Sequence, residues 1–334
     1  MKIVFFSAKP YDRDFFESCN KHYDFELEFW ETHLGPDIAD AIKADTDAVC
    51  VFVNDKLTAD VIAILAQKGV KIIALRCAGF NNVDLSAAKQ YGIRVCRVPA
   101  YSPQAVAEHA VAMLLTLNRK THKAYNRVRE QNFSLSGLMG FNLFGKTVGV
   151  IGTGKIGAVF CKIMLGFGCT VLASDPFLNK SLQNAGVKYL PFHEVIKEAD
   201  IISLHCPLTP ENHYLIGSNS LSTMKKGVTL INTSRGGLIN TREVIEALKT
   251  GQLAALGIDV YEQEEQLFFK DLSGSIIGDD DIQRLISFPN VLVTGHQAFF
   301  TQEALTEIAE STLKTVKILS ENNAEEEVSD AILV

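Results

Sequence analysis

Short apolar, β-branched runs recur along the chain, at Ile3 to Phe6, Ala48 to Val53, Ile72 to Leu75, Val148 to Ile151, Thr170 to Ala173, Ile201 to Leu204, Thr229 to Asn232, Leu256 to Val260 and Val291 to Thr294. Each is too continuously apolar for a strand with one wet face and predicts a strand buried on both. Between them lie segments whose apolar positions follow a helical period, among them Val61 to Lys68, Asp84 to Tyr91, Ile156 to Gly166, and Arg242 to Thr250, which Gly251 closes. Such alternation predicts parallel sheets flanked by helices, an α/β fold. It lapses from Val98 to Lys146, where Pro99, Tyr101 and Pro103 precede a long helical stretch from Gln104 to about Arg129 and a loop from Ser134 to Gly145. The lapse predicts a domain junction. Thr301 to Glu321 reads as one helix that suits either domain, and Glu325 to Glu327 as a solvated acidic turn.

Composition narrows the class of protein. A chain of 334 residues has room for about two domains at roughly 150 residues each. Its 47% hydrophobic and 21% charged residues are those of a packed globular protein. Lys and Arg total 32 against 39 Asp and Glu, a net charge of -7, which leaves no basic field for nucleic acid or an anionic membrane. The most apolar helical stretch, Ala105 to Leu117, contains Glu108 and His109 and falls short of the ~20 residues a membrane span needs. Met1 to Pro10 is patterned as a strand rather than an export signal. The seven cysteines are scattered and never spaced C-x-x-C, which points away from a disulfide framework or a thiolate metal site and toward free thiols in the cytoplasm.

Val148 to Ile151 runs directly into Gly152-Thr153-Gly154-Lys155-Ile156-Gly157 and then a helical pattern, the setting a dinucleotide fingerprint requires. Gly152 permits the tight turn, Gly154 lets backbone approach a pyrophosphate, Gly157 lets helix and strand pack closely, and the helix N–H groups face the anion. Asp175 falls 18 positions after Gly157, at the end of the next strand, where a carboxylate binds ribose hydroxyls and repels a 2'-phosphate. NAD is therefore the expected cofactor.

Three later strands end in groups suited to redox chemistry on a carbonyl. Asn232-Thr233-Ser234-Arg235 follows the first, Asp259 and the Glu262 to Glu265 cluster the second, and Gly295-His296 the third. In a parallel sheet those ends share one edge, where ligands bind. Hydride addition to a ketone requires a proton, and histidine titrates nearest neutrality, so His296 suits the acid. A carboxylate on its other ring nitrogen fixes the tautomer and favours imidazolium, and Arg235 suits a bidentate grip on a substrate carboxylate. Spacing leaves Glu262, Glu264 and Glu265 equally eligible as the partner. His109, His193, His205 and His213 read as structural or solvent-facing, and Tyr101 and Phe299 as either pocket lining or packing.

Taken together, Phe52-Val53-Asn54-Asp55, Leu75 to Asp84, Val98-Pro99-Ala100-Tyr101, Gly152 to Gly157, His205 to Thr209, Asn232 to Gly236, Asp259 to Glu262 and Gly295 to Phe299 carry a resemblance nearly end to end. The chain resembles the D-isomer-specific 2-hydroxyacid dehydrogenases, and among them the fermentative bacterial D-lactate dehydrogenases. That resemblance implies two Rossmann-like or flavodoxin-like parallel-sheet domains with a cleft between them. The substrate domain would comprise 1–100 plus 299–334, and the NAD domain 101–298. It further implies reversible reduction of pyruvate to D-lactate, with His296 as acid/base, Glu264 as its partner and Arg235 on the substrate carboxylate and keto oxygen. Tyr101, Phe299 and the Ala78-Gly79 backbone would meet the substrate. NAD contacts would come from Gly152, Gly154, Lys155, Ile156, Gly157, Asp175, Cys206, Pro207, Asn212, Thr233, Ser234, Arg235 and Asp259. Phe299 stands where some relatives carry a tyrosine, so no pocket hydroxyl is expected there. Homodimers or homotetramers are implied. The alternatives are another small 2-keto acid, such as hydroxypyruvate, glyoxylate or a branched 2-ketoacid, or a non-catalytic NAD(H)-sensing corepressor of the same fold.

Overall fold

The computed structural model describes all 334 residues, in two compact units: Met1–Ser102 with Phe299–Val334, and Pro103–Ala298. The first unit holds five parallel strands, β1 (Lys2–Phe5), β2 (Glu26–Phe29), β3 (Ala48–Val51), β4 (Ile72–Leu75) and β5 (Arg94–Arg97), in the order β2-β1-β3-β4-β5. β1, β3 and β4 are buried along their whole length, as continuous apolar runs require, whereas edge strand β2, Glu-Leu-Glu-Phe, has no buried residue. The helix Gln302–Glu321 packs against Pro10–Asn20 in this unit. Beyond it the chain returns along β5, where Val95 N–H donates to Val334 O at 3.0 Å and Leu333 N–H to Val95 O at 2.8 Å, covering an otherwise open edge.

The acidic turn is solvated at Glu326 and Glu327, as expected, while Arg94 grips the partly exposed Glu325 carboxylate with both terminal guanidinium nitrogens at 3.0 and 2.9 Å. The paired hydrogen bonds hold the Glu325 carboxyl below its ordinary range.

The second unit adds β6 (Thr147–Ile151), β7 (Thr170–Ser174), β8 (Lys188–Tyr189), β9 (Ile201–Leu204), β10 (Val228–Asn232), β11 (Leu253–Ile258) and β12 (Val291–Val293), all parallel, in the order β12-β11-β10-β9-β6-β7-β8. This is doubly wound: chain direction across the sheet reverses between β6 and β9, and ligands bind outside the carboxyl ends of strands at such a point. One apolar core covers each face, around Leu230, Leu204 and Val244 on one side and Val148, Phe160 and Leu114 on the other. The stretch expected as one helix from Gln104 to Arg129 is two, Pro103–Arg119 and Thr121–Arg129, because Lys120 lies in the left-handed region at φ 50° and breaks the ladder. Lys120 Nζ is held by the carbonyls of Gly137 and Met139 in the loop that follows.

Candidate functional site

The chain leaves β6 through Gly152 at φ +90°, a conformation only glycine takes freely. A Cβ at Gly157 would sit 2.0 Å from Gly152 O, so the helix Lys155–Gly166 starts hard against the strand it follows. Gly154 caps that helix with no side-chain acceptor, and a Cβ there would meet nothing within 4 Å. The first helical N–H groups thus open onto unfilled space. At the end of β7, Asp175 Oδ2 accepts from Thr153 N–H at 2.6 Å and Oδ1 from Phe177 N–H at 2.7 Å. Tyr189 OH donates to Thr153 Oγ1 at 2.9 Å, which orients the residue that orients Asp175. Neither Thr153 nor Tyr189 stood out in the sequence; only its place between Gly152 and Gly154 hinted at the first.

After β9, Ser234 Oγ donates to Cys206 O at 2.6 Å, and burial pushes the Cys206 thiol up to about 11, so it stays protonated near neutrality. Asn212 spends its amide within its own turn, on Pro207 O and Thr209 N–H, both at 2.7 Å. Asn232, wholly buried, donates to Arg235 O at 2.9 Å and accepts from Ser234 N–H at 3.0 Å, fixing the turn that presents Arg235. Gly236 lets that turn approach the next loop, since a Cβ there would fall 2.1 Å from the carbonyl carbon of Tyr261. The Gly236-Gly237 pair was the available signal. Thr233 Oγ1 is buried without a partner, an orphan that a ligand amide or ribose would satisfy. The uncapped helix start, the placed Asp175 carboxylate and this orphan hydroxyl together fit a dinucleotide.

His205 is held beneath the Gly152 turn, with Ser203 Oγ 2.9 Å from its Nε2 and the Phe160 ring 4.8 Å away. Burial lowers its pKa to about 3. Between the unfolded value of about 6.5 and that figure, the unfolded chain takes up a proton the folded one refuses, so stability falls as the pH drops through this window. The melting temperature of His205→Gln is expected to depend less on pH between 6.5 and 4 than that of the parent. Parallel melting curves would contradict this.

The third group stands at the ends of β10, β11 and β12, which are neighbours in the sheet. Arg235 is exposed, and one of its nitrogens donates to Ser234 O at 2.7 Å. Of the three eligible glutamates, Glu264 reaches His296: its Oε1 lies 2.9 Å from Nδ1, and its Oε2 accepts from Tyr261 N–H at 2.9 Å. A carboxylate only accepts, so Nδ1 carries the hydrogen and Nε2 is left as the atom where a proton comes and goes. Glu262 instead lies near Tyr214, whose hydroxyl its charge holds above the ordinary range. His296 has a backbone φ of 55°, uncommon for a residue with a side chain. The Phe269 ring stands 5.9 Å from the imidazole.

Asp259 is wholly buried and anchors the loop bearing His296, accepting from Gln297 N–H at 2.9 Å, Ala298 N–H at 2.8 Å and the Thr294 hydroxyl at 2.5 Å. His109 is structural rather than solvent-facing: its Nε2 lies 3.1 Å from Thr294 Oγ1 and 3.4 Å from Asp259 Oδ1.

The first unit carries Ala78, Gly79, Tyr101 and Phe299. Arg97 donates to Ala78 O at 2.9 Å and the Cys77 thiol to Gly79 O at 3.2 Å, fixing the loop after β4. The Phe299 ring lies 6.2 Å from Tyr101 and 6.1 Å from Phe52.

Residues 111–298 match the family described as D-isomer specific 2-hydroxyacid dehydrogenase, NAD binding domain. The D-lactate dehydrogenase of Escherichia coli K12 is 51% identical over 319 residues, 96% of this chain and 97% of that one. The apo structure of D-lactate dehydrogenase from Escherichia coli superposes with a TM-score of 0.91 and 47% identity over all of both chains. That of the Aquifex aeolicus D-lactate dehydrogenase, complexed with NAD and lactic acid, does so at 0.88 with 36% identity over 99% of each.

Proposed function

Because the chain belongs to the D-isomer specific 2-hydroxyacid dehydrogenases, we propose that it reduces pyruvate reversibly to D-lactate with NADH, using His296 as acid/base and Glu264 to aim it. NADH supplies the hydride. The observation that carries the reading is the Glu264–His296 pair at 2.9 Å, at the carboxyl edge of the sheet whose first strand ends in the glycine turn.

Glu264 holds Nδ1–H, so protonated His296 presents Nε2–H to the ketone oxygen and delivers the proton as negative charge develops there. In the reverse direction the same nitrogen takes the proton from the hydroxyl. Arg235 grips the substrate carboxylate with its planar fork and polarises the keto group. The Ala78-Gly79 backbone, held by Arg97 and Cys77, and the aromatic pair Tyr101 and Phe299 are the proposed substrate contacts of the first unit. Gly154, Lys155, Ile156 and Gly157 would hold the cofactor's pyrophosphate and Asp175 its adenosine ribose. Cys206, Pro207, Asn212, Thr233, Ser234 and Asp259 would line the rest of its course. Initial rates with pyruvate, hydroxypyruvate, glyoxylate and a branched 2-ketoacid test the substrate: pyruvate is expected to be fastest, and any other order would revise it.

Asp175→Ala is expected to relax the preference for NADH over NADPH, because the carboxylate that repels a 2'-phosphate is gone. An unaltered ratio of kcat/KM for the two cofactors would refute the ribose contact.

The protein is further proposed to be a cytoplasmic homodimer or homotetramer. All seven cysteines are free thiols, suited to a reducing compartment, and no helix is long and apolar enough to cross a membrane. Phe133, Leu135, Met139 and Phe144 are 72–88% exposed in one segment, apolar surface of the kind a second copy covers. Light scattering is expected to give a multiple of 36.7 kDa, and the double variant Leu135→Asp, Met139→Asp a smaller mass. A monomeric parent would contradict the assembly.

A further inference from the structure

The Thr294 hydroxyl has a single hydrogen, and that hydrogen is committed to the Asp259 carboxylate, which only accepts. Toward His109 the Thr294 oxygen is therefore an acceptor, so His109 Nε2 must carry a hydrogen and donate it. The donor also faces Asp259 Oδ1 at 3.4 Å. His109 stands on the buried side of the helix Pro103–Arg119, remote in sequence from both partners. Asp259 in turn accepts the backbone N–H groups of Gln297 and Ala298, immediately after His296, whose φ of 55° needs such an anchor.

We propose that His109 is a positioning residue for the acid/base pair: its Nε2–H, donated to Thr294 and facing Asp259, holds the Thr294 hydroxyl on the Asp259 carboxylate and thereby clamps the loop that aims His296. The inference rests on His296 being the acid/base. Burial opposes a charge on Asp259; the hydrogen bonds from His109 and Thr294, the nearby His296 and the Ala298 N–H outweigh it and hold the carboxyl below its ordinary range. The titratable groups acting on Asp259 are thus His109, from the helix, and His296, from the clamped loop, while Glu264 is bonded to His296. Without the His109 donor, burial favours the protonated carboxyl, which binds the two loop N–H groups less strongly.

The test compares His109→Leu and His109→Gln with the parent, reading kcat/KM for pyruvate against pH and the melting temperature, with His296→Gln assayed alongside. His109→Leu is expected to lose about 10- to 100-fold in kcat/KM, the scale of one charge-assisted hydrogen bond, and to gain a new loss of activity on the acid side as Asp259 takes up a proton. His109→Gln, which keeps an N–H donor, is expected to restore most of the activity and remove the new limb. If His109→Leu does not fold, Thr294→Val, which strips the bridging hydroxyl, is expected to show the same acid limb. A lower melting temperature with an unmoved pH profile would reduce His109 to a packing residue and overturn the proposal, as would a glutamine variant no better than the leucine one. Full turnover in His296→Gln would sink the acid/base reading itself; a dead His296→Gln beside an unaffected His109→Leu would sink only this inference.

Discussion

Replacing His296 with glutamine is expected to lower kcat for pyruvate reduction by about 10²- to 10⁴-fold while leaving NADH binding unchanged. The separation follows from where the ring stands. Its Nδ1 is bonded to Glu264 and its Nε2 is the one nitrogen available for proton exchange, whereas the glycine turn, Asp175 and Thr233 belong to other strand ends. Glutamine retains a hydrogen-bonding amide but has no dissociable proton near neutrality, so it removes acid/base chemistry without emptying the space. Fluorescence titration with NADH and steady-state turnover read the two quantities independently. Equal loss of both would mean that the substitution had disturbed the cofactor pocket, and unchanged turnover would assign the proton to another group. Glu264→Gln is the informative companion. Its amide nitrogen, turned toward Nδ1, favours the opposite tautomer and should cost less than loss of the ring.

The second large effect is expected at Arg235. Arg235→Gln should lower kcat/KM for pyruvate by about 10²- to 10³-fold, corresponding to about 3–4 kcal/mol, the range for removing one partner of a hydrogen-bonded charge pair. Arg235→Lys should recover part of this, because charge returns but the planar fork does not. The side chain is exposed and hydrogen-bonds the adjacent Ser234 carbonyl, so neither change should cost much stability. The loop is positioned by buried Asn232 and by the tight approach at Gly236, and both remain. A pyruvate KM indistinguishable from the parent in both variants would remove Arg235 from the substrate's carboxylate.

The buried parallel strands were legible because a strand covered on both faces has no polar alternation to dilute its signal, as in Ala48–Val51 and Val228–Asn232. The strands that escaped the sequence reading are poorly covered or charged. Glu26–Phe29 has no buried residue, Arg94–Arg97 carries an arginine at each end, and Lys188–Tyr189 is only two residues long. The break at Lys120 was invisible because neither proline nor glycine marks it. The residues of the glycine turn and the strand-end His296 announced themselves through fixed local spacing. His109 did not, since its partners lie 150 and 185 positions further along the chain and only the folded sheet brings them together. Glu264 was indistinguishable from Glu262 and Glu265 for the same kind of reason. A short 3-10 turn, Glu264–Gln266, decides which carboxylate faces the imidazole, and turn geometry of that sort has no periodic signature.

The most direct trial of the whole account is chiral analysis of the product formed when the purified protein, pyruvate and NADH are mixed and absorbance at 340 nm is followed to completion. One equivalent of D-lactate is expected for each NADH consumed, with no L-lactate. Absence of NADH oxidation, or L-lactate as the product, would contradict it.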